Sequence, residues 1–305
     1  MVIGALLLPS LVLERHPAVW DWLASFRPGT FQAAEGALRA SPHREREVVV
    51  LGSSVAVIDV IDPALAAMLD RPVLSAGVMA APVCATAMFT PALEARRPET
   101  VLLVVGMRDL DRCRPNPGRL AFDPEIAWHA IGAWRLASDD TWLAAALGGA
   151  STLVRHRAAV RMIGHPAGPG WRLHPRYTGR IDDDGLAGQL DWHAPRLRDA
   201  TLDGDGPSRR AFARMSARLR AIGAEAILVP APLHPRLVAS TGGGAGTSWH
   251  PAHLRRVAEI ARDTGARHLG AAELGEYPPE DFADPTHLTA SGQRRFTAAL
   301  GRALR

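Results

Sequence analysis

The chain of 305 residues contains no lysine and only one asparagine, Asn116. All 35 of its Lys and Arg positions are therefore arginine, and against 31 acidic residues they leave a formal net charge of +4. With no basic stretch interleaved with aromatic residues, this small charge gives no support for a nucleic-acid partner. The glycine-rich residues 241–246 lack the G-K-[ST] ending of a phosphate-binding loop.

Cysteine is almost as scarce, since Cys84 and Cys113 are the only two. Two cysteines define no disulfide framework, and neither forms the C-x-x-C spacing of a structural zinc site. The 12 histidines include no H-E-x-x-H or comparable pair. We therefore predict no metal and no cofactor. The apolar fraction of 47% is that of a packed globular protein.

Residues 2–13 are apolar, but they are too few to span a bilayer, which takes about 20 residues. No basic residue precedes them and no clear cleavage site follows, which does not fit a standard signal peptide. Two interpretations stay open: the remnant of a membrane anchor, or an apolar helix packed on the domain or on a partner. We treat residues 1–45 as an N-terminal apolar and helical segment and residues 46–305 as the main domain.

From residue 48 onward, short apolar runs alternate with segments compatible with helices. Continuous runs rich in β-branched residues are typical of buried parallel strands. Strands that alternate with helices form a sheet covered on both faces, so we predict a three-layer α/β/α protein. The strands are expected at residues 48–51, 72–75, 100–105, 226–229 and 266–269, and the helices at residues 55–69, 82–97, 208–222, 251–264 and 291–304.

Residues from about 110 to 207 break this alternation, and we interpret them as an insertion, part helix and part loop, that lies over the core. Tryptophans at helical spacing within it are expected in the core. By contrast, Trp171 and Trp249 lie beside turn-forming residues and are expected at the surface. Prolines at positions 63 and 91 are expected to interrupt two of the helices.

Three side chains that suit nucleophilic catalysis lie at opposite ends of the main domain. Ser54 follows the first strand in the sequence Gly-Ser-Ser, and Asp284 precedes His287 by three residues. A serine hydroxyl needs a base to take its proton, a neutral histidine can do so near pH 7, and a carboxylate can orient that histidine. We predict these three roles for them, against the alternative that Ser54 only begins a helix and Asp284 only caps a turn.

Gly77 and Gly106 follow the second and third strands, as Ser54 follows the first. The carboxyl ends of parallel strands meet at one edge of a sheet, so we expect all three residues to face one crevice. Free backbone N–H groups at the start of a helix can stabilise an oxyanion.

In the order of these motifs, the chain resembles the SGNH, or GDSL-like, hydrolase superfamily. The α/β-hydrolases use G-x-S-x-G instead, and the second glycine is missing here. Residues 52–54 look like the first SGNH block, residues 74–77 like the block that supplies a glycine N–H, and residues 284–287 like the final D-x-x-H. The resemblance implies a flavodoxin-like fold, an acyl-Ser54 intermediate, and an oxyanion hole that includes the N–H groups of Ser54 and Gly77.

One block departs from the family. Residues 106–109, Gly-Met-Arg-Asp, fall where the family carries G-x-N-D, so Arg108 stands where the asparagine of the oxyanion hole is expected. Two interpretations of Arg108 stay open: a charged donor to the oxyanion, or a surface residue. Losing one such donor typically lowers the rate by about 10²–10³-fold.

The resemblance implies a serine-dependent ester hydrolase or O-acyltransferase that acts on an acyl ester or an acylated glycan. The insertion and the apolar N-terminus are also similar to SGNH-like proteins of cell-envelope modification, such as polysaccharide O-acetylation and lipoteichoic acid D-alanylation. That comparison implies an extracytoplasmic, membrane-associated location, a membrane-bound acyl-donor protein and a polysaccharide acceptor. Two alternatives stay open: an ordinary soluble esterase, and a catalytically silent SGNH-fold protein that binds a glycan or a partner.

Overall fold

The computed structural model describes residues 16–24, 31–40, 45–79, 81–110, 180–198, 207–242 and 249–305. Most of the predicted insertion lies outside the described residues, as do residues 2–13 and Trp171. Within the described part of the chain, no helix is both long enough and apolar enough to cross a membrane.

Five parallel strands form one sheet in the order β2-β1-β3-β4-β5. The strands are β1 (Val48–Gly52), β2 (Val73–Ser75), β3 (Thr100–Val105), β4 (Glu225–Pro230) and β5 (Arg267–His268). Each boundary lies within one residue of the predicted one. This order is that of flavodoxin-like doubly wound folds, so the predicted fold class is confirmed.

Helices flank the sheet, and the described ones are numbered here in chain order. They are α1 (Pro17–Ala24), α2 (Phe31–Ala40), α3 (Ser54–Asp59), α4 (Asp62–Leu69), α5 (Val83–Thr86), α6 (Thr90–Arg96), α7 (Asp183–Arg198), α8 (Pro207–Ala221), α9 (Pro235–Ser240), α10 (Trp249–Thr264), α11 (Ala271–Leu274) and α12 (Ala290–Ala303). Two short 3₁₀ turns lie at Ala87–Phe89 and Pro279–Asp281.

Two of the predicted helices are divided. The segment predicted as one helix over residues 55–69 forms α3 and α4, with extended backbone at Val60 and Ile61 between them. Pro63 lies in the first turn of α4, where its missing N–H leaves no bond unmade, and Pro91 occupies the same place in α6. These prolines therefore begin new helices instead of interrupting old ones.

Successive side chains of a strand point to opposite faces of the sheet, so each strand packs against helices on both sides. Val49 and Leu51 pack into a cluster with helices α2, α6, α8 and α10. Val48 and Val50 pack into a second cluster, on the other face, with α3, α4 and α12. Every residue of β1 is buried, which is why its sequence is apolar throughout and does not alternate.

A third apolar cluster lies on the side of the sheet where the strands end. It joins Met107, which follows β3, with Leu233, which follows β4, and with apolar side chains of α7 and α9. Trp249 packs in the same cluster and is only 6% exposed, so the prediction that it lies at the surface was wrong. The same cluster includes residues of α7, within the predicted insertion.

Candidate active site

The site lies where β1 and β3 end side by side. From β1 the chain proceeds through α3 and α4 to β2 on one side, while β3 pairs with β1 on the other. Such a switch point leaves a crevice at the carboxyl ends of the strands, because the connections on either side diverge. Ser54 begins α3 directly after β1, and Gly106 follows β3.

A sharp turn presents Ser54 at this crevice. Gly52 ends β1 with φ of +143°, and a Cβ atom there would lie 2.3 Å from the carbonyl oxygen of Val104. Only glycine fits this close approach of β1 to β3. Ser53 is the N-cap residue and Ser54 is the first residue of α3, so the structure distinguishes the two adjacent serines.

The structure brings Ser54, His287 and Asp284 together in one hydrogen-bonded row. His287 Nε2 lies 2.8 Å from Ser54 Oγ, and His287 Nδ1 lies 2.8 Å from Asp284 Oδ2. An ionised carboxylate can only accept, so Nδ1 carries the proton and Nε2 is left to accept from the serine hydroxyl. This is the tautomer that a general base for Ser54 requires.

The second oxygen of Asp284 explains why the acid and the base share one short loop. Oδ1 accepts the backbone N–H of Thr286 at 2.7 Å, the backbone N–H of His287 at 2.8 Å and the Thr286 hydroxyl at 3.1 Å. Asp side chains commonly close turns in this way. Asp284 therefore shapes the loop with one oxygen and orients the imidazole with the other.

Neighbouring elements hold this loop in place. Phe282 and Leu288 form an antiparallel bridge at its base, and the N–H of Ala283 donates to the His287 carbonyl at 2.9 Å. The carbonyl of Pro285 accepts the N–H of His234, the N-cap residue of α9, at 3.1 Å. The loop is thus fixed both internally and against the end of β4.

Opposing effects set the pKa values of the pair. Burial would raise the pKa of Asp284, but hydrogen bonds from His287 and Thr286 and the charge of His287 outweigh it, so this pKa lies below its usual value. Burial would lower the pKa of His287, but Asp284, followed by the charges of Asp59 and Asp109, raises it above its usual value. The imidazolium form of His287 is therefore stabilised by its surroundings.

Two backbone N–H groups lie at helix α3. The N–H of Ser54 has no intrahelical acceptor, because it belongs to the first residue of α3. Gly77 lies against the same helix, and a Cβ atom there would approach Val57 Cγ2 to 2.8 Å. The flanking residues Ala76 and Val78 donate their N–H groups to β1, whereas the N–H of Gly77 makes no hydrogen bond to another described residue.

Arg108 lies at the same end of the sheet, two residues after Gly106. Its guanidinium carbon lies 5.9 Å from the ring centre of Trp192 on α7, whose ring also has the guanidinium of Arg196 at 4.3 Å. Asp109, next to it, is buried and accepts the N–H of Gly106 at 2.7 Å. Asp109, the acid of the predicted G-x-N-D block, therefore closes its own loop, while Arg108 lies over a tryptophan of α7, within the predicted insertion.

Sequence reasoning missed two buried groups around the site. Asp59 is fully buried, and its charge acts on His287. Its signal in the sequence is an acid within an otherwise apolar run, five residues after Ser54. His234 is buried, and its ring lies edge-on to Phe282 at 5.3 Å. Nothing in the predicted loop after β4 indicated that His234 anchors the loop of the base.

No protein-family model and no curated protein matches the chain. Among solved structures, the chain is similar to TesA, with 14% identity, a TM-score of 0.44, and coverage of 85% of this chain and 98% of that one. It is similar to a mutant of an acetyl-xylooligosaccharide esterase from Geobacillus Stearmophilus, with 11% identity, a TM-score of 0.40, and coverage of 85% and 93%. It is also similar to a carbohydrate acetylesterase family member from Sinorhizobium meliloti, with 12% identity, a TM-score of 0.39, and coverage of 85% and 97%.

These similar structures are SGNH-type hydrolases, the type that the sequence motifs resemble. At such identities and TM-scores the similarity concerns the fold and carries no argument about activity. The α/β assignment follows from the order and direction of the five strands. What the site can do follows from the distances among its own side chains.

Proposed function

We propose that the protein is a serine esterase that cleaves carboxylic esters through an acyl-Ser54 intermediate. The observation that carries the proposal is the row from Ser54 Oγ to His287 to Asp284, with both hydrogen bonds at 2.8 Å. Its position at the crevice between β1 and β3 adds support, because substrates of doubly wound folds bind there.

In the proposed reaction, Ser54 Oγ attacks the ester carbonyl carbon while His287 Nε2 takes the hydroxyl proton. We assign the backbone N–H groups of Ser54 and Gly77 to the negative oxygen of the tetrahedral intermediate. Collapse of that intermediate breaks the bond to the alcohol, which receives its proton from His287. Asp284 stabilises the imidazolium between these two proton transfers.

The acyl-Ser54 intermediate then needs an acceptor. Water, activated by His287, gives hydrolysis and releases a carboxylic acid. A sugar hydroxyl in the same position would give O-acyl transfer, so an acyltransferase is a finer form of the same proposal. Both forms need an activated Ser54, and a silent glycan-binding protein of the same fold does not.

The test is the release of p-nitrophenol from p-nitrophenyl acetate, together with covalent labelling by a fluorophosphonate. We expect Ser54→Ala and His287→Ala to lower turnover by about 10³-fold or more, and the label to be found on Ser54 by peptide mass spectrometry. Ser53→Ala is the matched control. Ser53 makes no side-chain capping hydrogen bond, so this variant should keep turnover and labelling.

Three outcomes separate the candidates. Steady turnover that needs Ser54 supports the esterase. One equivalent of p-nitrophenol per chain, followed by turnover only when a sugar acceptor is added, supports the transferase. A wild-type protein that neither turns over nor reacts with the fluorophosphonate contradicts both and favours the silent binding protein.

A further inference from the structure

Asp59 is the last residue of α3, the helix that begins with Ser54. Its side chain is 0% exposed. Oδ1 accepts the backbone N–H of Leu288 at 2.9 Å, while Oδ2 is buried and has no hydrogen-bond partner among the described residues. A negative charge is unfavourable at the carboxyl end of a helix, and a buried oxygen without a partner costs free energy. Packing alone therefore does not explain an acid at this position.

The partner of Asp59 is the residue directly after the base. The N–H of Leu288 donates to Asp59, and its carbonyl accepts the side-chain amide of Gln293 on α12 at 2.9 Å. Its side chain is 0% exposed, and it bridges to Phe282. Asp59 thus fixes the chain just after His287, as Asp284 fixes it just before.

Helix α3 consequently contacts the loop of the base at both of its ends. Ser54, its first residue, meets the imidazole of His287, and Asp59, its last residue, holds the backbone of Leu288. Two contacts along one rigid helix fix the orientation of the loop as well as its distance from the nucleophile. A single contact would fix only the distance.

Charge links the same groups. Among the described residues, the titratable groups that act on Asp59 include His287 and Asp284, and those that act on His287 include Asp284, Asp59 and Asp109. Helix α12 contacts this region through two neutral side chains: Gln293 donates to Leu288, and Thr297 accepts the N–H of Ile61. Burial raises the pKa of Asp59 to about 7, although the charge of His287 lowers it, so the protonation states of the two groups are coupled.

We propose that Asp59 is a positioning residue for His287, acting through the backbone of Leu288 and through its own negative charge. The inference rests on the proposed function, because it assigns Asp59 a part in the same reaction. When His287 takes the proton of Ser54, the new positive charge is stabilised by Asp284 in direct contact and by Asp59 through the buried interior.

Two variants separate the hydrogen bond from the charge. Asp59→Asn keeps the size of the side chain and an acceptor for Leu288, but it removes the charge. We expect the acid limb of kcat/KM against pH to move to lower pH by about half a unit or more, because His287 then loses its proton more easily. Asp59→Ala removes the acceptor as well, and we expect kcat to fall by about 10–100-fold with little change in KM.

Glu47→Gln is the matched control, since Glu47 is a buried carboxylate at the opposite end of β1. It should leave the acid limb where it is in the wild type. An acid limb that stays in place in Asp59→Asn, together with a kcat of Asp59→Ala equal to that of the control, would overturn the proposal and leave Asp59 a packing residue.

A readout that needs no turnover keeps this inference apart from the proposed function. The imidazole Cε1–H signal of His287, identified by its loss in His287→Gln, can be followed by NMR between about pH 5 and 9. We expect two titration steps in the wild type and a lower His287 pKa in Asp59→Asn. If the pKa of His287 is lower in Asp59→Asn but the wild type cleaves no ester, only the proposed function fails. If the pKa of His287 is unchanged in Asp59→Asn while the wild type is active, the role of Asp59 is refuted.

The wild-type curve also serves if Asp59→Asn does not fold. A neighbouring group that titrates within the pH window adds its own step to the histidine signal, and the pKa of Asp59 is about 7. A single step for His287 in the wild type would then contradict the proposal without any variant.

Discussion

Both ends of β1 carry buried charges, but the two ends are built differently. At the amino end, Glu47 and Arg96 have side chains only 2% exposed and form two hydrogen bonds of 2.5 and 2.7 Å. Arg96 also donates to the carbonyl of Leu38 at 2.9 Å. At the carboxyl end, His287 lies among three carboxylates, and in the described part of the chain one oxygen of Asp59 has no hydrogen-bond partner.

The difference separates charges that hold the fold from charges suited to change during a reaction. A guanidinium stays charged at any ordinary pH, and a carboxylate can match it permanently with two parallel hydrogen bonds. An imidazole gains and loses a proton near neutral pH, so no fixed set of neighbours can match both of its states. The carboxylates around His287 favour its protonated state over its neutral one.

The largest expected effect tests the carboxyl end through Asp284→Asn. We expect kcat on p-nitrophenyl acetate to fall by about 10⁴-fold, because the amide would donate to Nδ1 and leave the proton of His287 on the nitrogen that faces Ser54. The folded structure should survive, since the amide oxygen can still accept the N–H groups of Thr286 and His287. Activity within tenfold of wild type, at equal thermal stability, would reduce Asp284 to the cap of its turn.

The amino end is tested by Glu47→Gln, whose effect should fall on stability. We expect the free energy of unfolding in urea to drop by about 3–5 kcal/mol, because the buried Arg96 charge loses its partner. The kcat of the protein that remains folded should not change.

Glu94→Gln provides the control for that experiment. Glu94 pairs with Arg218, whose side chain is 49% exposed, and such exposed pairs contribute about 0–1 kcal/mol. If Glu47→Gln lowered kcat while stability stayed constant, Glu47 would affect the reaction and not the fold. The difference that we draw between the two ends of β1 would then be wrong.

The smallest expected effect concerns Arg108. We expect Arg108→Ala to lower kcat by less than about tenfold, because the backbone donors of Ser54 and Gly77 are independent of it and its guanidinium lies over Trp192. A loss of about 10²–10³-fold in kcat at constant KM would instead assign Arg108 to the oxyanion hole. Arg108→Lys then tells whether charge alone suffices, since lysine lacks the planar fork of arginine.

The strands could be predicted because burial leaves a direct trace in the sequence. Residues 48–51 and 100–105 are covered on both faces, so each is a continuous apolar run. The sequence indicates the division between α3 and α4 less clearly. Pro63 marks it, but a proline near the start of one helix and a proline that breaks another look alike until the three-dimensional course of the chain is known.

Within the site, Ser54, Asp284 and His287 could be found because their residue types and order suit one chemistry. Asp59 could not, because its partner is a backbone N–H at a sequence separation of 229 residues. Every residue except proline has a backbone N–H, so this contact does not require a particular residue type and no sequence motif identifies it. Trp249 was misjudged for a related reason: the apolar cluster in which it packs includes residues of α7 and Met107, which are far away in the sequence.

The hydrogen bond between Ser54 and His287 joins residues 233 positions apart. A nascent chain therefore contains Ser54 long before it contains His287. Any fragment that stops before residue 287 lacks the second partner, however well its first strands have folded. If Ser54 and His287 act as proposed, ester cleavage reports that the chain has been made beyond residue 287 and that its two distant parts have folded together.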